Sequence, residues 1–164
     1  MVLRLTETDN AAYRQTMARF ATGVAVVTAK DKGGAPQGIT VSSVTSVSLA
    51  PPLVLYCLGK GAFHRDAFLE ARNFAINVLS RVQQELAMRF AREAPADWQG
   101  IALERGAGDT PFIAESLAVL LCERAALHEA GDHWIVVGQV TSLGSREDRG
   151  PLIYYGSAFQ QLAD

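Results

Sequence analysis

The chain has 164 residues, 49% of them hydrophobic, with a formal net charge of −2 at pH 7, a pI near 5.9 and a mean hydropathy of +0.10. That length fits one domain, able to bury about two-thirds of its unfolded surface. There is no basic stripe to suit nucleic acid, no apolar run of the ~18 residues needed to span a bilayer, and no apolar core of a signal peptide between Met1 and Asn10, where Glu7 and Asp9 stand.

The first predicted element is a helix from about Asp9 to Ala21. Tyr13, Met17 and Phe20 form one apolar stripe on it, Thr8 or Asp9 caps its start, and Gly23 ends it. Gly23 to Lys30 reads as a β-branched strand. The turn signal Asp31-Lys32-Gly33-Gly34 pairs it with a strand from Gly38 to Leu49. That second strand is unusual: Thr40, Ser42, Ser43, Thr45, Ser46 and Ser48 put six hydroxyls into nine residues. Val41, Val47 and Leu49 keep an apolar alternation, which Ser42-Ser43 interrupts. A Pro51-Pro52 corner leads into Leu53 to Leu58, apolar enough to be buried on both faces.

The loop Gly59-Lys60-Gly61-Ala62 follows, then a helix from about His64 to Arg72 and a strand from Phe74 to Leu79. Ser80-Arg81-Val82-Gln83 has capping-box spacing and opens a helix with Val82, Leu86 and Phe90 as its buried stripe. Residues 93–111, with Pro95, Gly100, Gly106, Gly108 and Pro111, read mostly as loop. Leu117 to His128 and His133 to Leu143 then make a hairpin around Glu129-Ala130-Gly131-Asp132, although Leu117 to Leu121 also suits a helix. Pro151 to Tyr155 and Ser157 to Leu162 close the domain. The expected class is mainly β with α decoration, a barrel carrying three short helices. Cys57 and Cys122 lie in apolar runs without CxxC spacing. They read as buried free thiols in a reducing, cytoplasmic compartment rather than as a disulfide. The high apolar fraction suggests an interface between copies; the alternative is a tight monomeric core.

The stretch from Gly38 to Leu58 resembles the short-chain flavin reductases, the small partners of two-component flavin monooxygenases. Five further segments in the family's order continue the likeness: Arg19 to Thr28, Phe74 to Leu79, Leu86 to Ala91, Gly131-Asp132-His133 with Val137 to Val140, and Pro151 to Tyr155. The likeness covers about residues 11–162. It implies a split β-barrel flavin-binding fold and a homodimer. It further implies hydride transfer from NADH or NADPH to N5 of FMN or FAD, and release of reduced flavin to a separate monooxygenase.

The candidate residues follow from that likeness. Thr40, Val41, Ser42 and Ser43 would line the isoalloxazine ring with small hydroxyls and open backbone; otherwise they form a solvated edge strand. Cys57 and Phe90 are expected beside them. Lys60, Gly61 and His64 belong to a loop that would hold phosphate. Here Gly61, Ala62 and His64 stand where the family has Ser, Ser and Thr: either the lost hydroxyls weaken phosphate binding, or Lys60 and His64 substitute for them; the plain alternative is a tight turn. The segment is not a P-loop. His133 would orient the nicotinamide. Arg89 would reach a phosphate or the ring edge, or else it is a solvated helix arginine. Tyr155, or its neighbour Tyr154, would face the ring, with core packing as the alternative. Hydride transfer needs no acid or base, so none is named, and no metal cluster is expected. A rival reading is a flavin carrier or sensor of the same fold without reductase activity.

Overall fold

The computed structural model describes residues 5, 7–92, 94 and 97–162; Pro95 of the expected loop lies outside them. Helix α1 (Asn10–Met17) is capped by Asp9, whose carboxylate accepts from the Ala12 N–H at 2.7 Å. There follow β1 (Thr22–Gly23), β2 (Ala25–Lys30), β3 (Pro36–Val41), β4 (Thr45–Leu49), β5 (Pro52–Gly59) and α2 (Arg65–Glu70). Then come β6 (Asn73–Val78), α3 (Gln84–Phe90), β7 (Leu103–Arg105), β8 (Pro111–Ile113), β9 (Ala118–Ala130) and β10 (His133–Ser145), and finally β11 (Ile153–Tyr155) and β12 (Ala158–Gln160).

Seven strands form one sheet in the order β3-β2-β6-β9-β10-β5-β4, and β1-β11-β12 form a small second one. In a flat sheet, six strand spacings would set the edges β3 and β4 about 29 Å apart. Only Ser42, Ser43 and Val44 join Val41 to Thr45, a reach of at most about 14 Å. The sheet therefore curls until its two edges nearly meet, leaving a split barrel bridged by that short link.

The link corrects the expected strand from Gly38 to Leu49, which is two strands on opposite edges. The break in alternation at Ser42-Ser43 is the crossing point. The apolar alternation read at Val47 and Leu49 does not bury them: they are 49% and 90% exposed. The register of β4 on β5 shifts between Ser46 and Ser48, and a one-residue slip turns the following side chains to the other face.

The core lies on both faces of β2. Val27 joins Tyr56, Leu58, Phe74, Ile76 and Val136 inside the barrel. Val24 and Val26 face a second cluster with Leu79, Ala87, Phe90, Ile113 and Leu152 under α3. Strand β5 was expected to be buried on both faces, yet it alternates: Val54, Tyr56 and Leu58 are buried, while Leu53, Leu55 and Cys57 are half-buried. The reason is position. Strands β2 and β6 carry α3, β8 or the small sheet as a second layer, whereas β5 lies next to the edge.

Two helices also depart from their predicted faces. Val82 is 68% exposed, and Ala87 and Phe90 are the buried residues of α3. The first turn, Arg81–Gln83, is a 3-10 helix, and its tighter pitch resets the phase of the stripe. The Ser80–Gln83 capping box itself forms as predicted. The stripe on α1 is not covered by the described chain: Tyr13, Met17 and Phe20 are 58%, 48% and 70% exposed.

The expected loop at 93–111 contains the short ribbon β7–β8. Asn77, the polar residue of an otherwise apolar strand, holds it. Its amide donates to the Val26 carbonyl at 2.8 Å and to the Thr28 hydroxyl at 3.0 Å, and its carbonyl accepts from the Ile113 N–H at 2.8 Å. Thr28 in turn donates to the Pro111 carbonyl. The two thiols do not pair. Cys122 is buried, and burial pushes its thiol up to about 12.

Candidate functional site

Beside the split lies a cleft of about 600 Å³, lined by the end of β3, the Ser42-Ser43 link, Cys57, the loop after β5, the end of α3 and the tip of the β9–β10 hairpin. This volume is in the range of small-ligand sites. Strand β3 pairs with β2 on one side only, so its other edge has backbone N–H and C=O groups with no neighbouring strand. The floor of the cleft is thus polar backbone carried on a rigid sheet.

The hydroxyls of the floor do different jobs. Thr40 donates to the Ala87 carbonyl at 2.7 Å and so ties α3 to β3. The Ser43 hydroxyl accepts from the Cys57 N–H at 2.9 Å, fastening the link to β5. Ser42 is exposed and Val41 turns into the core. Replacing Ser43 with alanine leaves the Cys57 N–H unpaired; urea melts are expected to show a loss of about 1 kcal/mol. Gly38 admits Phe90: a β-carbon there would lie 2.8 Å from its ring. Trp98 packs behind Phe90, ring centroids 4.5 Å apart.

The loop after β5 is held from two sides. The Lys60 N–H donates to the Asp132 carbonyl at 2.9 Å, and Arg65 donates to the Lys60 carbonyl at 2.8 Å. The Lys60 ammonium pairs with Glu129 and lies 5.8 Å from the centre of the Trp134 ring. Its charge is therefore already shared with a carboxylate. His64 packs edge-on to Phe63 at 4.6 Å, and its buried Nε2 has no hydrogen-bond partner.

The hairpin tip supplies the opposite wall. Gly131, with φ +59°, is the first residue of a two-residue turn and brings Asp132 beside the loop. Asp132 Oδ1 lies 2.7 Å from His133 Nδ1. That hydrogen bond holds the Asp132 carboxyl below the usual carboxylate range. With the carboxylate accepting, Nδ1 carries the proton and Nε2 keeps its lone pair. His133 is directly opposite Gly59 in the β10–β5 register, and a β-carbon on Gly59 would come 3.7 Å from Nε2.

Thr40, Val41, Ser42, Ser43, Cys57, Lys60, Gly61, His64, Phe90 and His133 thus come together from five separate segments. Arg89 and Tyr155 do not line the cleft. Arg89 donates to the Gln99 carbonyl at 2.8 Å. It is Tyr154 that turns toward the adjoining surface, packed edge-on to Phe159. Sequence reasoning missed Arg92, which lines the cleft just past the end of α3. Helical phase no longer predicts direction there. It also missed Asp132 as the partner of His133, although the two are adjacent in the chain.

The residues fit a flavin. An open strand edge offers donors and acceptors to a ring edge, the floor is made of small side chains, and an unpartnered His64 nitrogen sits in the wall.

Several known proteins are similar to this chain. The FMN reductase (NADH) SmoA of Agrobacterium fabrum is 44% identical over 159 residues, covering 94% of this chain and 87% of the relative. The flavin-dependent monooxygenase reductase subunit HsaB of Rhodococcus jostii is 34% identical, covering 90% and 75%. Among solved structures, the NADH:FAD oxidoreductase SgcE6 of Streptomyces globisporus C-1027, in complex with NAD and FAD fragments, superposes with a TM-score of 0.90 at 34% identity. It covers 98% of both chains. Residues 17–163 match the sequence profile of the flavin reductase like domain, and the chain belongs to that family.

Proposed function

We infer that the protein is an NAD(P)H:flavin oxidoreductase in which the cleft binds FMN or FAD and a dihydronicotinamide in turn. A bound flavin supplies the hydride acceptor at N5. The chain's own residues bind and align. The open edge of β3 at Thr40 to Ser43 meets the polar edge of the ring, while Phe90 and Cys57 border it. Lys60, Gly61 and His64 lie where the flavin phosphate would be held. His133, its tautomer set by Asp132, offers Nε2 to the carboxamide of the nicotinamide. No side chain is asked to move a proton, because hydride transfer depends on distance and on exclusion of water. The observation that carries this reading is an unpaired strand edge facing the His133–Asp132 pair across one cleft.

The reduced flavin then serves a separate monooxygenase, a reading supported by the HsaB relative, which is named as the reductase subunit of a flavin-dependent monooxygenase. The uncovered stripe Tyr13, Met17 and Phe20 supports a homodimer, since contiguous apolar surface of this kind marks interfaces. Light scattering is expected to report twice the chain mass, and Phe20→Glu to shift it toward the monomer. Two unpaired thiols fit a reducing, cytoplasmic setting.

The test is NADH oxidation with catalytic amounts of protein and added FMN or FAD. Saturable turnover that requires free flavin is expected. Flavin binding by fluorescence quenching without turnover would favour a carrier or sensor of the same fold.

A further inference from the structure

A second compartment of about 470 Å³ adjoins the cleft and shares Thr40, Val41, Ser42, Ala91 and Arg92 with it. Because five residues line both, the two form one continuous surface rather than two sites. Their characters differ. The cleft proper sets backbone, hydroxyls and imidazoles beside Ile39, Phe63 and Phe90. The second compartment is bounded by Met88, Tyr154 and Phe159, together with Val24 and Ala158. Tyr154 and Phe159 meet edge-on with ring centroids 5.5 Å apart, and the Gly156-Ser157 turn beneath them has φ +61° and +62°. The hairpin β11–β12 thus presents an aromatic wall. Arg92 stands at the junction and has no ion-pair partner among the described residues.

We propose that this second compartment binds the adenosine half of a dinucleotide, with Arg92 on the pyrophosphate. A purine needs an apolar slot with an aromatic face, and base–aromatic stacking requires no particular hydrogen-bond pattern. A pyrophosphate needs a guanidinium, which pairs with phosphate oxygens two at a time. The structure supplies both in the right order: ring site, cation, aromatic slot. The loop from Gly59 to His64, where the flavin phosphate would be held, does not line this compartment. The proposal rests on the cleft being the flavin site. Two ligands carry the same adenosine diphosphate half, the hydride donor NADH and the acceptor FAD.

The test uses Phe159→Ala, which removes the stacking face. It also uses Ala158→Trp, which fills the slot from an exposed position and spares the core. Affinities for FAD and FMN are read by fluorescence quenching. KM is read for NADH and for reduced nicotinamide mononucleotide, with FMN as acceptor. One dinucleotide is expected to weaken about tenfold in both variants while its mononucleotide counterpart changes less than about twofold. A selective rise in KM for NADH assigns the slot to the donor. A selective loss of FAD affinity assigns it to the flavin and turns the flavin tail toward Arg92. If both dinucleotide-to-mononucleotide ratios stay unchanged in both variants, the proposal is overturned. Absence of FMN turnover in the parent protein would instead overturn the reductase reading itself.

Discussion

Replacing His133 with alanine is expected to raise KM for the dihydronicotinamide about tenfold, with flavin affinity within about twofold of the parent. The loss corresponds to one hydrogen bond between Nε2 and the carboxamide, about 1.4 kcal/mol. The argument runs through Asp132. Its carboxylate holds Nδ1 at 2.7 Å, so the opposite nitrogen is an acceptor pointed away from the hairpin. Asp132→Asn keeps the shape but removes the charge that selects this tautomer. It is expected to raise KM less than His133→Ala does, and Asp132→Glu to recover part of the difference. The sign of the pH dependence follows from the lowered Asp132 pKa. The Asp132 carboxylate stays charged at every pH above the ordinary carboxylate range and is neutralised only as pH falls through the lowered value. Steady-state kinetics with separate flavin and NADH titrations resolve the two parameters. A kcat loss without change in KM would assign His133 to the chemical step instead.

The largest effect on stability is expected from Gly138→Ala. This glycine is buried in the middle of β10, where a β-carbon would lie 2.4 Å from Cζ of Phe74 and 2.9 Å from the β-carbon of Cys122. Neither neighbour yields readily: Phe74 packs edge-on to Tyr56 at 5.4 Å, and both belong to the barrel core. Overpacking of this kind costs about 1–3 kcal/mol, and the upper end is expected here because the obstruction comes from two strands at once. Gly144, farther along the same strand, has nothing within 4 Å of a β-carbon. Gly144→Ala is therefore expected to be neutral or slightly stabilising. Denaturant melts of the two variants compare the same chemical change in the two settings. Equal midpoints would contradict the packing argument.

Much of the cleft's lining was legible in the chain because it is carried by short local signals. Hydroxyls crowded around Ser42-Ser43, a glycine loop after an apolar strand, and Gly131-Asp132-His133 at a hairpin tip each reflect a local backbone requirement. The capping box at Ser80 and the Asp31 turn are local too, and both form as read: Asp31 accepts from Gly33 and Ala35, each at 2.9 Å. Arg89 and Tyr155 were misplaced because their directions depend on partners distant in sequence, the Gln99 loop for one and the β1–β11–β12 sheet for the other.

By itself the sequence determined the mainly β class, the order of strands along the chain, and the segments that build the cleft. Those properties depend on hydrophobic period and turn chemistry, which act over a few residues. Only the tertiary structure decided that the strand from Gly38 to Leu49 breaks in two, that β2 rather than β5 is covered on both faces, and that Arg92 rather than Arg89 reaches the cleft. Each of these depends on which surfaces come to lie against one another once the sheet curls, and on single-residue shifts in register at the bulge in β4. Such shifts reverse the facing of side chains without altering the pattern that is read along the chain.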